Sequence, residues 1–269
     1  MQLADAHCHL DFPEFDADRD QVLIKARAAG IRQIILPATT AKRWDGLLKL
    51  ASTDPQLYPC LGLHPMFMTQ HRSEDLDALK QALQQNPQVV AVGEIGVDFW
   101  HDPTAEQQTQ QWQLLDAQLD LAKDFNLPVV LHIRKGMDEV IRRLRKKHLT
   151  CGGLVHAFSG SLQQAQQLVN LGFRLGLGGS LTYPRARRLR HIASQLPATA
   201  FLLETDSPDM PLAGQQGQRN EPANIVKVLN CWADLRQTPA AELALELQNN
   251  LQQTFPKTFP KTFPLQKTH

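Results

Sequence analysis

Apolar and polar positions along this chain follow two alternating rhythms. Short apolar runs, many of them β-branched, recur as QLADAH, IRQIILPA, LYPCLGLH, VVAVGEIG, LPVVLHI, GGLVHAF, FRLGLGG and AFLLETD. Between them lie longer segments such as DADRDQVLIKARAAG, SEDLDALKQALQQN and AEQQTQQWQLLDAQLDLAKDFN, where apolar residues return at helical spacing. The order is strand then helix, repeated roughly eight times. Strands that are apolar on both faces need cover on both sides, which places them in a parallel sheet clothed by helices. Eight such units in 269 residues fit a closed (β/α)8 TIM-type barrel, an α/β fold, with a doubly wound open sheet as the alternative.

Punctuation agrees with this register. Gly30 and Asn126 follow helical segments where a left-handed residue closes a helix, and Ser73 and Ser161 precede such segments as candidate caps. The end of the chain differs in kind. TFPKTFPKTFPLQKTH repeats Thr-Phe-Pro-Lys, and proline recurring every fourth residue blocks both a helix and an interior strand. The expectation is one barrel domain over 1–255 and a disordered tail over 256–269, either a plain extension or a proline-motif ligand.

Charge narrows the functional classes. With 28 Lys and Arg against 27 Asp and Glu, the net charge of +1 excludes a general basic coat, so any polyanion site must be local. Four scattered cysteines without a C-x-x-C pair fit reduced thiols. The opening residues lack a basic and then apolar leader, and no run approaches the roughly 18 apolar residues of a membrane span. These features point to a soluble, cytoplasmic protein with no membrane association and no obligate protein partner evident.

The candidate chemistry gathers at the ends of the expected strands. In ADAHCHLDF, an extended backbone sends His7 and His9 to one face and Cys8 to the other. A lone His-x-His is weak, since both rings can simply make hydrogen bonds. Glu94 ends VVAVGE, His132 ends LPVVLH, His156 ends GGLVH and Asp206 follows FLLET, so all six residues reach the carboxyl ends of strands, where barrel active sites are built. Six such donors exceed what one catalytic zinc takes, which implies two divalent cations. The expected partition gives His7, His9 and Asp206 to one ion and His132 and His156 to the other, with Glu94 bridging. A cation can lower the pKa of its bound water to about 7, so the implied reaction is hydrolysis by metal-bound hydroxide, with Asp206 as a further candidate proton acceptor. Zinc, manganese and magnesium all suit histidine with carboxylate.

At this point DAHCHLDF, GLHP, AVGEIGVDF, LPVVLHIRK, VHAFSGS and LLETDSPDMP resemble the TatD family of metal-dependent hydrolases, within the amidohydrolase-like barrels. The likeness runs to about Phe255 and leaves the Thr-Phe-Pro-Lys tail unexplained. It implies a TIM-type barrel, two divalent cations, and phosphodiester hydrolysis as a deoxyribonuclease, with metal residues falling on the same six positions and Glu94 and Asp206 as catalytic groups. It also points to His64 and Arg134 as contacts for a substrate phosphate, although His64 has the alternatives of outer ligand or loop anchor. Asp98 is expected to orient a ligand from behind. RKKH at 145–148 reads as a solvated helix end, whereas YPRARRLRH at 183–191 follows the seventh strand. From it Arg185 is the candidate for a nucleic-acid backbone contact. The substrate is expected to be DNA or another phosphodiester. The competing readings are an amide, ester or lactone hydrolase using the same metals, and a non-catalytic metal-holding binding module.

Overall fold

The computed structural model describes residues 1–258; most of the Thr-Phe-Pro-Lys repeat, 259–269, lies outside the described residues. Strands and helices alternate as β1 (Leu3–Asp5), α1 (Arg19–Ala28), β2 (Ile31–Pro37), α2 (Trp44–Ser52), β3 (Leu57–Leu61), α3 (Asp75–Gln85), β4 (Ala91–Asp98), α4 (Ala105–Asp124) and β5 (Val129–Arg134). The series continues with α5 (Met137–Lys147), β6 (Gly153–Val155), α6 (Leu162–Asn170), β7 (Phe173–Leu177), α7 (Arg187–Gln195), β8 (Phe201–Leu203), α8 (Ile225–Arg236) and α9 (Ala240–Thr254). The eight strands form one parallel sheet in the order β1 to β8. Backbone bonds from Ala6 N–H to Leu203 O and from Asp206 N–H to His7 O, both 2.9 Å, bring its two edges together. The result is the expected (β/α)8 barrel rather than an open sheet. Among the described residues no helix is long and apolar enough to cross a membrane.

Two apolar clusters hold the barrel. The larger joins the outer faces of the strands to the helices, with Ile34, Leu61, Val97 and Leu131 packed among Val22, Leu79, Leu115 and Ile141. The smaller lies within the barrel and takes Ile35, Cys60, Ala91, Val130, Leu154 and Leu202 from six strands. Leu251 and Phe255, from α9 and its end, close that inner cluster. Asn250 Nδ2 donates to Ala198 O and Phe201 O at 2.9 Å each, which seats α9 at the amino end of β8.

The local turn and cap signals hold in part. Gly30 (φ 93°) and Asn126 (φ 51°) take the left-handed conformation after α1 and α4. Ser161 caps α6 through a reciprocal box: its Oγ accepts from Gln164 N–H at 3.1 Å and its N–H donates to Gln164 Oε1 at 2.9 Å. Ser73 is not a cap. Glu74 occupies that position, and the Ser73 hydroxyl donates to the Glu74 carboxylate instead. The first residue of α3 reaches back: Asp75 Oδ2 accepts from Arg72 N–H at 3.0 Å. The first members of the repeat also pack. Pro256–Thr258 forms a 3-10 turn with Thr258 buried, and Lys257 Nζ donates to Val89 O at 2.9 Å.

Candidate metal centre

The six expected donors come together, although the strands deliver them differently than their sequence suggests. β1 ends at Asp5, so His7 and His9 lie in the segment that leaves it. A parallel bridge between Cys8 and Ser207 keeps that segment extended, and the two rings meet with Nε2 atoms 3.2 Å apart. Glu94 is not the end of β4, which runs on to Asp98. The register with β5 slips between Val92 and Ile95, an irregularity of the kind that re-aims a side chain without ending a strand. His132 lies inside β5, beside Gly96 of β4, where a Cβ would come within 1.9 Å of His132 O. His156 directly follows β6, and Asp206 follows β8 in a left-handed turn (φ 57°).

His7 Nε2 lies 3.3 Å from Glu94 Oε2 and 3.4 Å from Asp206 Oδ1, and His9 Nε2 lies 3.5 and 3.6 Å from the same two oxygens. Donors about 2.0–2.2 Å from a shared centre in a tetrahedral array stand roughly 3.3–3.6 Å from one another, so this spacing fits a small divalent cation. The other oxygen, Glu94 Oε1, faces His132 Nδ1 at 3.1 Å and His64 Nε2 at 3.2 Å. His156 Nε2 approaches Asp206 Oδ2 at 3.4 Å, and its ring stacks on His7 at 3.7 Å. His156 therefore stands nearer the first group than the expected partition had it, with its ring 6.3 Å from that of His132.

Outer hydrogen bonds decide which nitrogen each ring presents. Pro37 O can only accept, so His9 Nδ1, 3.1 Å away, carries a proton, and in the neutral ring Nε2 is the lone pair that faces inward. His132 Nε2 donates to Asp98 Oδ2 at 2.9 Å, leaving Nδ1 toward Glu94. His156 Nδ1 stands 3.2 Å from Glu204 Oε2, an ion-pair distance without hydrogen-bond alignment. His64 is the opposite case. Its Nδ1 accepts from Met66 N–H at 3.1 Å, so in the neutral ring the proton sits on Nε2 and is offered to Glu94 Oε1. Proximity alone groups His64 with Glu94 and His132; its tautomer makes it a donor instead of a ligand.

The electrostatics follow this wiring. Burial opposes ionisation of Glu94, yet His64, His7 and His132 hold its carboxyl well below the usual range. Burial opposes Asp206 as well, and His156, His7 and His9 bring it down to about 2. Burial pushes His64 down to about 4, which keeps it neutral. His156 moves well above the usual imidazole value, because Glu204 and Asp206 outweigh its burial. Glu204 went unremarked in the sequence reading, although an acid inside the apolar run AFLLETD was its signal. It is fully buried, accepts from Ala157 N–H at 2.7 Å, and has room only because residue 176 is glycine: a Cβ there would lie 2.4 Å from the carboxylate.

Five of the six donors, all but the fully buried His7, form the floor of a pocket of about 690 Å³, lined also by Phe12, Met66, Phe67, Trp100, Arg134 and Asp209. The Arg134 guanidinium lies 4.7 Å over the Trp100 ring and 3.9 Å from Asp98 Oδ2. Arg185 does not line this pocket. It lies in an adjoining cleft.

A TIM-type barrel whose strands deliver imidazole nitrogens and ionised carboxylates to one carboxyl-end pocket has the build of a metal-dependent hydrolase. The chain belongs to the TatD family: residues 4–256 match the family described as TatD related DNase. It is 48% identical over 245 residues to the uncharacterized metal-dependent hydrolase YjjV of Escherichia coli K12, covering 90% of this chain and 93% of that protein. The crystal structure of YjjV, a TatD homolog, superimposes with a TM-score of 0.91 over 96% of this chain and 98% of that one. Human deoxyribonuclease TATDN3 is 35% identical over 235 residues, 83% of each chain.

Proposed function

We propose that this metal-dependent hydrolase cleaves phosphodiester bonds, as a deoxyribonuclease, at a site for two divalent cations. The observation that carries the reading is the division of Glu94: one oxygen faces His7 and His9, the other faces His132. His7, His9, Glu94 and Asp206 would hold one cation, and Glu94 and His132 would take part in the other, with His156, whose Nε2 lies 3.4 Å from Asp206 Oδ2, as the further donor beside the first group. Bound divalent cations supply Lewis acidity at such a site, lowering the pKa of a water toward about 7 and offsetting charge on a phosphoryl oxygen.

The chain's own groups do the rest. Asp206 is ionised at neutral pH and can accept a proton from the attacking water. His64, neutral and protonated at Nε2, can turn that N–H from Glu94 to a phosphoryl oxygen. Arg134 presents a planar fork to the same pocket, steadied by Trp100, and matches two phosphate oxygens at once. The name of the human relative, deoxyribonuclease TATDN3, supports DNA as the substrate.

The test is turnover by metal-stripped protein with zinc, manganese and magnesium restored in turn. The substrates are end-labelled single-stranded DNA, an amide and a lactone. The expected result is cation-dependent cleavage of DNA alone. Cleavage of the amide or lactone without the DNA would move the protein to the other hydrolase class, and no turnover with any cation would leave a binding module.

A further inference from the structure

A second cleft on the same rim plays no part in the chemistry above. It encloses about 370 Å³ between the segment that follows β6 and the first turn of α7. It adjoins the metal pocket, since Ala157, Ser159, Ser180 and Met210 line both. Arg185, Arg187 and Arg188 line it, all exposed, and among the described residues no acidic side chain does. In a chain of net charge +1 this is a marked local excess. Several arginines elsewhere are matched by acids: Arg143 by Asp116 and Glu139, Arg219 by Asp18 and Glu221.

The cleft is also organised. Arg188 Nη2 donates to Ser159 O at 2.9 Å, tying the start of α7 to the opposite wall, and Arg185 lies 5.1 Å over the Tyr183 ring. The cap position of α7 is Ala186, which offers its first-turn amides no side-chain acceptor. Those amides, the guanidinium forks and the Ser159 and Ser180 hydroxyls are all donors, and donors without a carboxylate among them select an anion.

We propose that this cleft holds a second, uncleaved phosphate of the substrate, so that the metal centre acts on a nucleic-acid chain in preference to an isolated small phosphodiester. The inference rests on the phosphodiesterase reading and adds a footprint to it. A backbone that places one phosphate over Glu94 carries its next phosphate along the rim, toward the cleft that shares Ala157, Ser159, Ser180 and Met210 with the metal pocket. A guanidinium bound to phosphate oxygens reads the backbone and not the base, so the footprint confers length dependence and little sequence preference.

The experiment compares kcat/KM for a thymidine dinucleotide, which has one phosphate, with that for the trinucleotide, which has two, using the metal-loaded full chain. One charge-assisted phosphate contact corresponds to a trinucleotide advantage of roughly 10- to 100-fold in the wild type. The Arg187→Ala/Arg188→Ala double variant should bring that ratio close to one, and the Lys/Lys pair should recover part of it. A wild-type ratio near one, or an unchanged ratio in the Ala pair, overturns the proposal. Binding of fluorescein-labelled oligothymidine to chelator-treated protein, followed against salt, gives a readout free of catalysis. The Ala pair should weaken binding and flatten its salt dependence. If no phosphodiester is cleaved but this effect is present, the cleft assignment stands and the reaction assignment fails. If hydrolysis proceeds and binding ignores the arginines, the reverse holds.

Discussion

The two ends of this barrel bury different things. At the amino end, Leu251 and Phe255 close an apolar interior of Ile35, Cys60, Val130 and Leu154, and the polar side chain of Asn250 is spent on two backbone carbonyls. At the carboxyl end, His7, His9, Glu94, His132 and His156 are as buried as that core, yet their inner atoms face one another. An apolar rim of similar volume would be no less stable, since burying charges costs about as much as their attraction returns. The difference teaches where each end gets its order. The amino end holds itself together, whereas the rim is held from outside by Pro37 O, Asp98 and Glu204 and left with nitrogen and oxygen lone pairs converging on a common space.

Breaking the rim should give the largest effect. Glu94→Gln removes the charge that both donor groups share, so turnover should fall by roughly 10³-fold or more, and the cation content of dialysed protein should fall with it. The thermal response sharpens the point. A cation at 100 times its dissociation constant stabilises a protein by about 2.7 kcal/mol, so metal should raise the melting temperature of the wild type and leave that of Glu94→Gln close to its metal-free value. Full cation content in the variant, measured by elemental analysis, would take Glu94 out of the centre.

Breaking the amino end should do the reverse. Phe255→Ala empties a fully buried ring site and should cost about 3–5 kcal/mol in urea unfolding. Cation content and kcat per folded molecule should stay at wild-type levels, because the apolar cluster that holds Phe255 contains none of the six donors. A large loss of kcat at unchanged folded fraction would show the two ends to be coupled.

Most of the fold could be read from the chain because its signals are local. Unbroken apolar runs, amphipathic spacers and turn residues such as Gly30 and Asn126 each depend on a few neighbours. The misreadings came from partners distant in sequence. Glu94 looked terminal because VVAVGE stops being apolar there, but pairing with β5 carries the strand on through a slipped register. Glu204 was visible as an acid in an apolar run, yet its partner His156 and the glycine that makes room for it come from other strands. The tautomer of His64 depends on a backbone N–H in a turn that no spacing rule foretells. Pro256–Thr258 reads like the rest of its repeat, but it falls where α9 ends and Thr258 is buried. Composition sees the repeat and not the place where the barrel stops.

The smallest effect should sharpen the idea that the rim is held from outside. Asp98 touches no inner atom of the centre. It accepts from His132 Nε2 at 2.9 Å and from Trp100 N–H at 2.9 Å, and although burial opposes its ionisation these bonds keep its carboxyl below the usual value. Asp98→Asn keeps the shape but can offer His132 an N–H where it needs an acceptor, so the ring loses its reason to hold Nδ1 bare toward Glu94. Loss of such an outer partner costs roughly 10- to 100-fold in metal affinity or activity. The loss should appear in kcat and in the cation dissociation constant together, while KM for the substrate and the melting temperature of metal-free protein change little. A purely structural role would produce the opposite set, a lower melting temperature with normal cation affinity. That outcome would make the carboxyl rim as self-supporting as the amino end.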